Sequence, residues 1–386
     1  MKTIHFQEII ECSSQKSILT GQAGFGIRTL TEGMDEQLAR DICEQIDCAY
    51  ELDITQQVTT EDIVKDARIV KKYPRTLKYT QVKDANGCIK YVIACSTYIG
   101  IDYGYFCDME TARRAGTNYV ADILVFDEKP SPSLFYELVA QKIFLPIDNT
   151  CSPDNPELKT LLTGEPSRLK TRSLSLENTD QREVSAREIT ADREQTGINE
   201  QTALVAIALL QAYLNEKKQG ERRRPRNIVI QAKESKVLSI LKDFSMLPNE
   251  LINGKYFQTN YLQGYGMPNG YRMIFLNEYN QKEVYIDNYI YVNLDDMQLE
   301  DDMQLEDDCP DVIHPDDKRF KNVDTDNLWF ALLRQAARAH GYLGFQTLIE
   351  FVMHDDLSSC QDIEPKSSGK KPTGFWQSLS RKLFNK

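Results

Sequence analysis

The sequence is poor in the residues and patterns that usually announce chemistry. It has four histidines, His5, His314, His340 and His354, with no HExxH and no pair at ligand spacing, so no metal site is expected. It has no Gly-Lys-Ser/Thr P-loop, no complete GxGxxG fingerprint, no GxSxG elbow and no kinase motif set. Its nine cysteines contain no CxxC, which argues for reduced thiols over a disulfide framework. No apolar run approaches the roughly eighteen residues of a membrane helix, the greasiest being Ala203 to Leu210. Met1 to Glu11 carries one lysine and no signal-peptide core, so a cytoplasmic location is expected.

What is present is a chain of 386 residues, two to three ordinary domains long, with a 41% hydrophobic content sufficient for real cores. The net charge of −12 is local. Eleven acidic residues and no Lys or Arg lie between Asp295 and Asp317, and without them the chain is nearly neutral. The stretch includes MQLEDD twice in tandem, at 297–302 and 303–308, which reads as a self-repelling loop. Lys366 to Lys386 carries six basic residues and no acid. An acidic insert and a basic tail on a balanced body suit electrostatic docking, whereas a nucleic-acid partner would call for a larger basic surface.

The periodicities predict an α+β fold of two packed mixed domains. In the first, at 1–165, Ile4 to Ile10 reads as a strand, and Gly21, Gly24 and Gly26 mark the following loop. Met34 to Ile46 has the four-residue apolar step of a helix. Arg75 to Val82 and Cys88 to Ser96 read as a hairpin about Asn86-Gly87, a turn wanting positive φ at both positions. Tyr119 to Phe126 reads as a strand and Ser133 to Phe144 as a helix. Residues 166–195 are polar and charged, with little to bury, and are expected as a linker. A second α+β domain is expected at 196–295, with a helix at Asn199 to Glu216, a buried strand at Asn227 to Gln231 and a helix at Ser235 to Phe244. Tyr256 to Leu262, Tyr271 to Glu278 and Glu283 to Leu294 then read as a strand meander. An acidic loop (296–325), a helical segment (326–357) and a flexible linker with a basic tail (358–386) complete the chain.

Several groups invite functional readings. The loop TGQAGFG, with Gly21, Gly24 and Phe25, could let backbone N–H groups approach a phosphate, or could simply be a tight turn. Cys95 or Cys107 with His5 could form a thiol–imidazole pair, although a buried structural cysteine is the plainer reading. The run Arg222 to Arg226 could meet phosphates, an acidic partner or the chain's own acidic stretch. In the tail, Phe375, Leu379 and Leu383 share a helical face flanked by Trp376, with Arg381 and Lys382 among the polar positions. That pattern suits docking to a protein groove or to an anionic membrane surface.

Three segments resemble a known family. Cys12-Ser13-Ser14, a spacer and TGQAGFGIRTLTEGM resemble the N-terminal motif of the GTPase-associated proteins of bacterial conflict systems. Tyr98-Ile99-Gly100-Ile101-Asp102-Tyr103, followed by Arg114-Ala115-Gly116-Thr117-Asn118-Tyr119, resembles that family's next motif. Here Thr117 interrupts the family's Gly-Asn, and Asp122 stands where a histidine is usual. Met246-Leu247-Pro248 with Tyr256-Phe257-Gln258-Thr259-Asn260-Tyr261 resembles the middle-region motif. The likeness covers roughly residues 1 to 295, in the family's order, and leaves out the acidic insert, helical segment and tail. It implies a non-enzymatic adaptor, without a cofactor, that couples an NTPase, often GTPase-like, to an effector protein in antiphage defence. The alternative is a nucleotide- or small-ligand-binding sensor or enzyme using the Gly-rich loop with Asp102, Arg114 and Asn118.

Overall fold

Apolar residues recurring at every second position, or in unbroken short runs, build most of the strands, and the two patterns divide the sheet into two kinds of half. In the computed structural model the described residues are 2–46, 62, 66, 69, 73, 75–99, 119–131, 134–141, 143–144, 156–176, 200–217, 227–244, 247, 249–252, 254–259, 272–276, 289–294 and 320–321. The Arg222 to Arg226 run, the acidic stretch up to Arg319, the helical segment and the basic tail lie outside them.

The first half holds β1 (Lys2–Ser14), β2 (Gly24–Thr31), β3 (Thr76–Lys83), β4 (Ile89–Tyr98) and β5 (Tyr119–Phe126). It also holds β6 (Ser167–Leu169) and β7 (Arg172–Leu176), with helices α1 (Glu36–Ile46), α2 (Leu134–Ala140) and α3 (Pro156–Thr163). The second half holds α4 (Glu200–Lys217), β8 (Asn227–Gln231), α5 (Glu234–Asp243) and α6 (Asn249–Ile252). After them come β9 (Phe257–Thr259), β10 (Met273–Leu276), β11 (Tyr289–Asn293) and β12 (Phe320–Lys321). All the strands join one mixed sheet in the order β12-β11-β8-β10-β9-β3-β4-β5-β1-β2-β6, with β7 paired to the start of β1. At this level the mixed helix-and-sheet class is as the periodicities predict.

The sheet runs without a break from one expected domain into the other. Its seam is the antiparallel pairing of β3 with β9, Lys78 with Gln258 and Tyr79 with Phe257. Side chains reinforce it. The Thr259 hydroxyl accepts the Leu77 N–H at 2.7 Å, the Tyr256 hydroxyl donates to Gln81 at 2.6 Å, and the Tyr79 ring lies 5.4 Å from Tyr256.

One apolar cluster fills the face where α2, α4, α5 and α6 lie, and Leu77, Ile93, Leu124, Ile230 and Phe275 are its sheet side. Ala203 to Leu210 is buried all round, so α4 is a central helix and not an amphipathic surface one. A second cluster, under α1 and α3, takes Val92, Ala94, Ile123 and Val125 from the other side of the same strands. Asp35 starts α1 by accepting the Leu38 N–H on its carboxylate at 2.7 Å, and the Lys78 ammonium donates to the Ile46 carbonyl at its end.

Three expectations change. The strands after α5 form no meander: β9, β10, β8 and β11 are mutually parallel neighbours. Parallel neighbours need long crossovers, and residues 260–271 and 277–288 are long enough to supply them. The stretch expected as a linker from residue 166 begins with two strands, since β6 pairs with β2 and β7 with β1. Burying Leu174 and forking Arg172 onto Glu8 compensates there for the scarcity of apolar residues. At the hairpin, Gly87 has φ 79° and donates its N–H to the Asp84 carbonyl, while the Asp84 N–H reaches Cys88. The loop is thus three residues long, with glycine in the left-handed position, and not a two-residue turn.

Candidate functional site

The Gly-rich segment is where motif and geometry can be compared directly. Gly21 sits in the loop with φ 69°, whereas Gly24, Phe25 and Gly26 already belong to β2, paired with Ser14, Ser13 and Cys12. The loop closes on itself. Ser17 N–H donates to Gln22, Gly21 N–H to Ser17 and Ile18 N–H to Ile27, all at 2.8–2.9 Å. The Leu19 and Gln22 N–H groups find the hydroxyls of Ser17 and Thr20. Within the motif itself the Gly21 and Gln22 N–H groups are thus already bonded inside the protein, which leaves fewer amides to face a phosphate.

Phe25 is instead displayed. It is 48% exposed on a rigid strand, its ring 4.6 Å from that of Tyr119 at the head of β5. Further along β2, Arg28 is buried and donates to the carbonyls of Leu161, Gly164 and Lys16, the first two at the end of α3. A guanidinium there satisfies orphan carbonyls and the negative end of the helix dipole. It fixes α3 against β2 and so holds the strand that presents Phe25.

The register also assembles polar residues that are far apart in sequence. Asp122 of β5 lies opposite Ile10 of β1 and Cys95 of β4, and Cys95 lies opposite Leu77 of β3. Directly paired residues share a face. Asp122 is fully buried and its carboxyl is hydrogen-bonded to that of Glu8. Arg172 places one nitrogen 2.9 Å from both Glu8 oxygens and another near the Ile143 carbonyl. Burial raises the Glu8 carboxyl above its usual range, against the opposing pull of Arg172. At the same end of the sheet, Arg75 forks onto Glu234, the first residue of α5, through its backbone and side-chain nitrogens.

Burial pushes the thiols of Cys95 and Cys12 up to about 12, which leaves both protonated and poorly nucleophilic at neutral pH. The structure does not bring Cys95 together with His5, which is exposed and in register with Ser173. Cys107, Asp102, Arg114 and Asn118 lie outside the described residues, as do Phe375, Trp376, Leu379, Arg381, Lys382 and Leu383. Among the described residues no group of three His, Cys, Asp or Glu is placed to hold a metal ion, and no helix is long and apolar enough to cross a membrane.

Sequence reasoning missed the Glu8–Arg172 and Arg75–Glu234 pairs, separated by 164 and 159 positions. The one local signal was a lone acid inside each strand-like run, Glu8 in FQEII and Asp122 in YVADILVF. A carboxylate in such a run needs a buried partner. The chain matches no protein-family model and no curated protein.

Proposed function

We propose that the chain is a non-enzymatic adaptor or regulatory subunit that couples a GTPase-like NTPase to an effector in a bacterial antiphage conflict system. The order of the three resembling segments supports this reading. The observation that carries it is the conformation of the first of them. Its Gly21 and Gln22 amides are bonded within the loop, and it projects an aromatic side chain, Phe25, from a strand braced by Arg28. A rigid aromatic at the surface is the kind of group that anchors a protein interface. In this reading the NTPase docks at Phe25, whose ring lies against the buried Tyr119. The amphipathic tail around Phe375, Trp376, Leu379, Arg381, Lys382 and Leu383 takes the effector or an anionic membrane surface, making the protein cytoplasmic and peripheral at the membrane.

The test is affinity capture from the native host with three baits: the full chain, a Phe25→Ala variant and a chain ending at Gly369. The expected result is an NTPase recovered with the full and shortened chains and reduced at least tenfold by Phe25→Ala. A second protein, or lipid, should be lost only with the shortened chain. Recovery of no NTPase, together with calorimetric binding of GTP or ATP by the chain alone, would replace the adaptor with a nucleotide sensor.

A further inference from the structure

A carboxyl in the middle of a buried strand is costly, and here two of them meet. Glu8 of β1 lies opposite Leu124 of β5, and Asp122 stands two residues back on the same face, opposite Ile10. Such diagonal neighbours are within side-chain reach. Glu8 and Asp122 are 1% and 0% exposed, and their carboxyls are hydrogen-bonded to each other. Two carboxylates have no proton to donate, so that bond exists only while the pair carries one. Arg172 of β7 then faces the single negative charge that remains, with one nitrogen 2.9 Å from both Glu8 oxygens. Its guanidinium lies 5.8 Å from the Phe6 ring.

The surroundings decide what the proton does. From β4 the pair meets the Cys95 thiol, opposite Asp122 and neutral at neutral pH. Beyond it stand Arg75 and Glu234, which offset each other. From β2 the Thr31 hydroxyl serves only the Glu8 backbone, accepting its N–H and donating to its carbonyl. The helices α2 and α4 bring apolar residues to this face, among them Leu134, Phe135 and Leu204. We propose that Glu8 and Asp122 form one proton-binding site, whose single shared proton joins β1 to β5 and whose loss sets the two strands against each other. Burial raises the Glu8 carboxyl, so the proton stays in place to a higher pH than on an exposed carboxyl. Once it leaves, two negative charges stand side by side out of water, with Arg172 against Glu8. The sheet thereby carries a sensor of rising pH at its β1–β5 pairing.

Infrared spectra of the full chain test this, because the C=O stretch of a protonated carboxyl stands clear of the amide bands. At about pH 6 an exposed carboxyl is ionised. Subtracting the spectrum of Glu8→Gln or of Asp122→Asn from that of the unaltered chain at this pH should leave one protonated-carboxyl band. Either substitution removes the band, because the carboxylate left behind accepts from the new amide. Arg172→Gln should keep the band to a pH roughly one unit higher or more, since the cation favours the charged form. In hydrogen exchange, protection of the β1 and β5 amides should fall as the band disappears with rising pH, and stay level in Glu8→Gln. The substitutions nearly conserve shape, circular dichroism checks that each variant folds, and the titration of the unaltered chain needs no variant. Absence of any protonated carboxyl from the unaltered chain at about pH 6 would overturn the proposal. So would a band that survives either carboxyl substitution, a titration unmoved by Arg172→Gln, or protection that does not change as the band is lost.

Discussion

Arg28 is the residue on which the N-terminal layer turns, because one side chain serves three backbone carbonyls from two separate segments. Replacing it by methionine keeps much of its volume but takes the donors away from those partly buried carbonyls. We expect Arg28→Met to cost about 3 kcal/mol or more in urea unfolding, well above the effect of a surface arginine. The buried thiols give a second expectation. Cys88 is exposed and should react readily with a disulfide reagent at pH 8, whereas Cys12 and Cys95 should react only as the protein unfolds. Peptide mass mapping over time distinguishes them. Glu8 gives a third, with a definite sign. Its folded-state carboxyl holds its proton more tightly than the unfolded one, so its contribution is fully present below about pH 4.5 and is lost as the pH rises through the raised value. Glu8→Gln should therefore flatten the fall of stability with pH above 4.5, an effect of at most about 1.4 kcal/mol per pH unit.

Elements differ in how much of themselves they wrote into local sequence. The unbroken run Ala203 to Leu210 and the short run NIVIQ could only be buried, and α4 and β8 lie where those runs stand. The hairpin was legible as well, although its loop is one residue longer because the Asp84 carboxylate gathers the N–H groups of Asn86 and Cys88. Gly87→Ala should cost about 1 kcal/mol through its positive φ, as read from the shift in thermal midpoint. By contrast β6 and β7 were hidden. Three- to five-residue strands with alternate polar positions look like a solvated segment until β1 and β2 offer them edges. The parallel order of β9, β10, β8 and β11 was also invisible, since alternation and apolar runs specify that a strand exists but not which neighbour it takes. The site divides the same way. The glycines and Phe25 were found by motif, while Arg28, Glu8 and Asp122 acquire meaning only from partners that the fold supplies.

The described sheet is organised by the β3–β9 seam, which joins a mostly antiparallel half to a mostly parallel one through two residue pairs and the half-buried Arg75–Glu234 fork. Halves sharing one sheet and one apolar cluster should lose structure together. In hydrogen exchange, the slowest amides of β4 and β8 are expected to report the same opening free energy, and Arg75→Gln should lower both equally. Unequal values would mean that the halves open separately. The opposite edge has a different consequence. Because Val292 and Phe320 are paired, the acidic residues between β11 and β12 are a loop closed at both ends, not a tether between bodies. The entropy of closing such a loop grows only with the logarithm of its length. Removing one MQLEDD copy, or adding a third, should alter stability by only about 0.2 kcal/mol. The number of hexamers is thus almost free to drift, and with it the negative charge carried between β11 and β12, so that charge can be tuned by copy number without disturbing the fold.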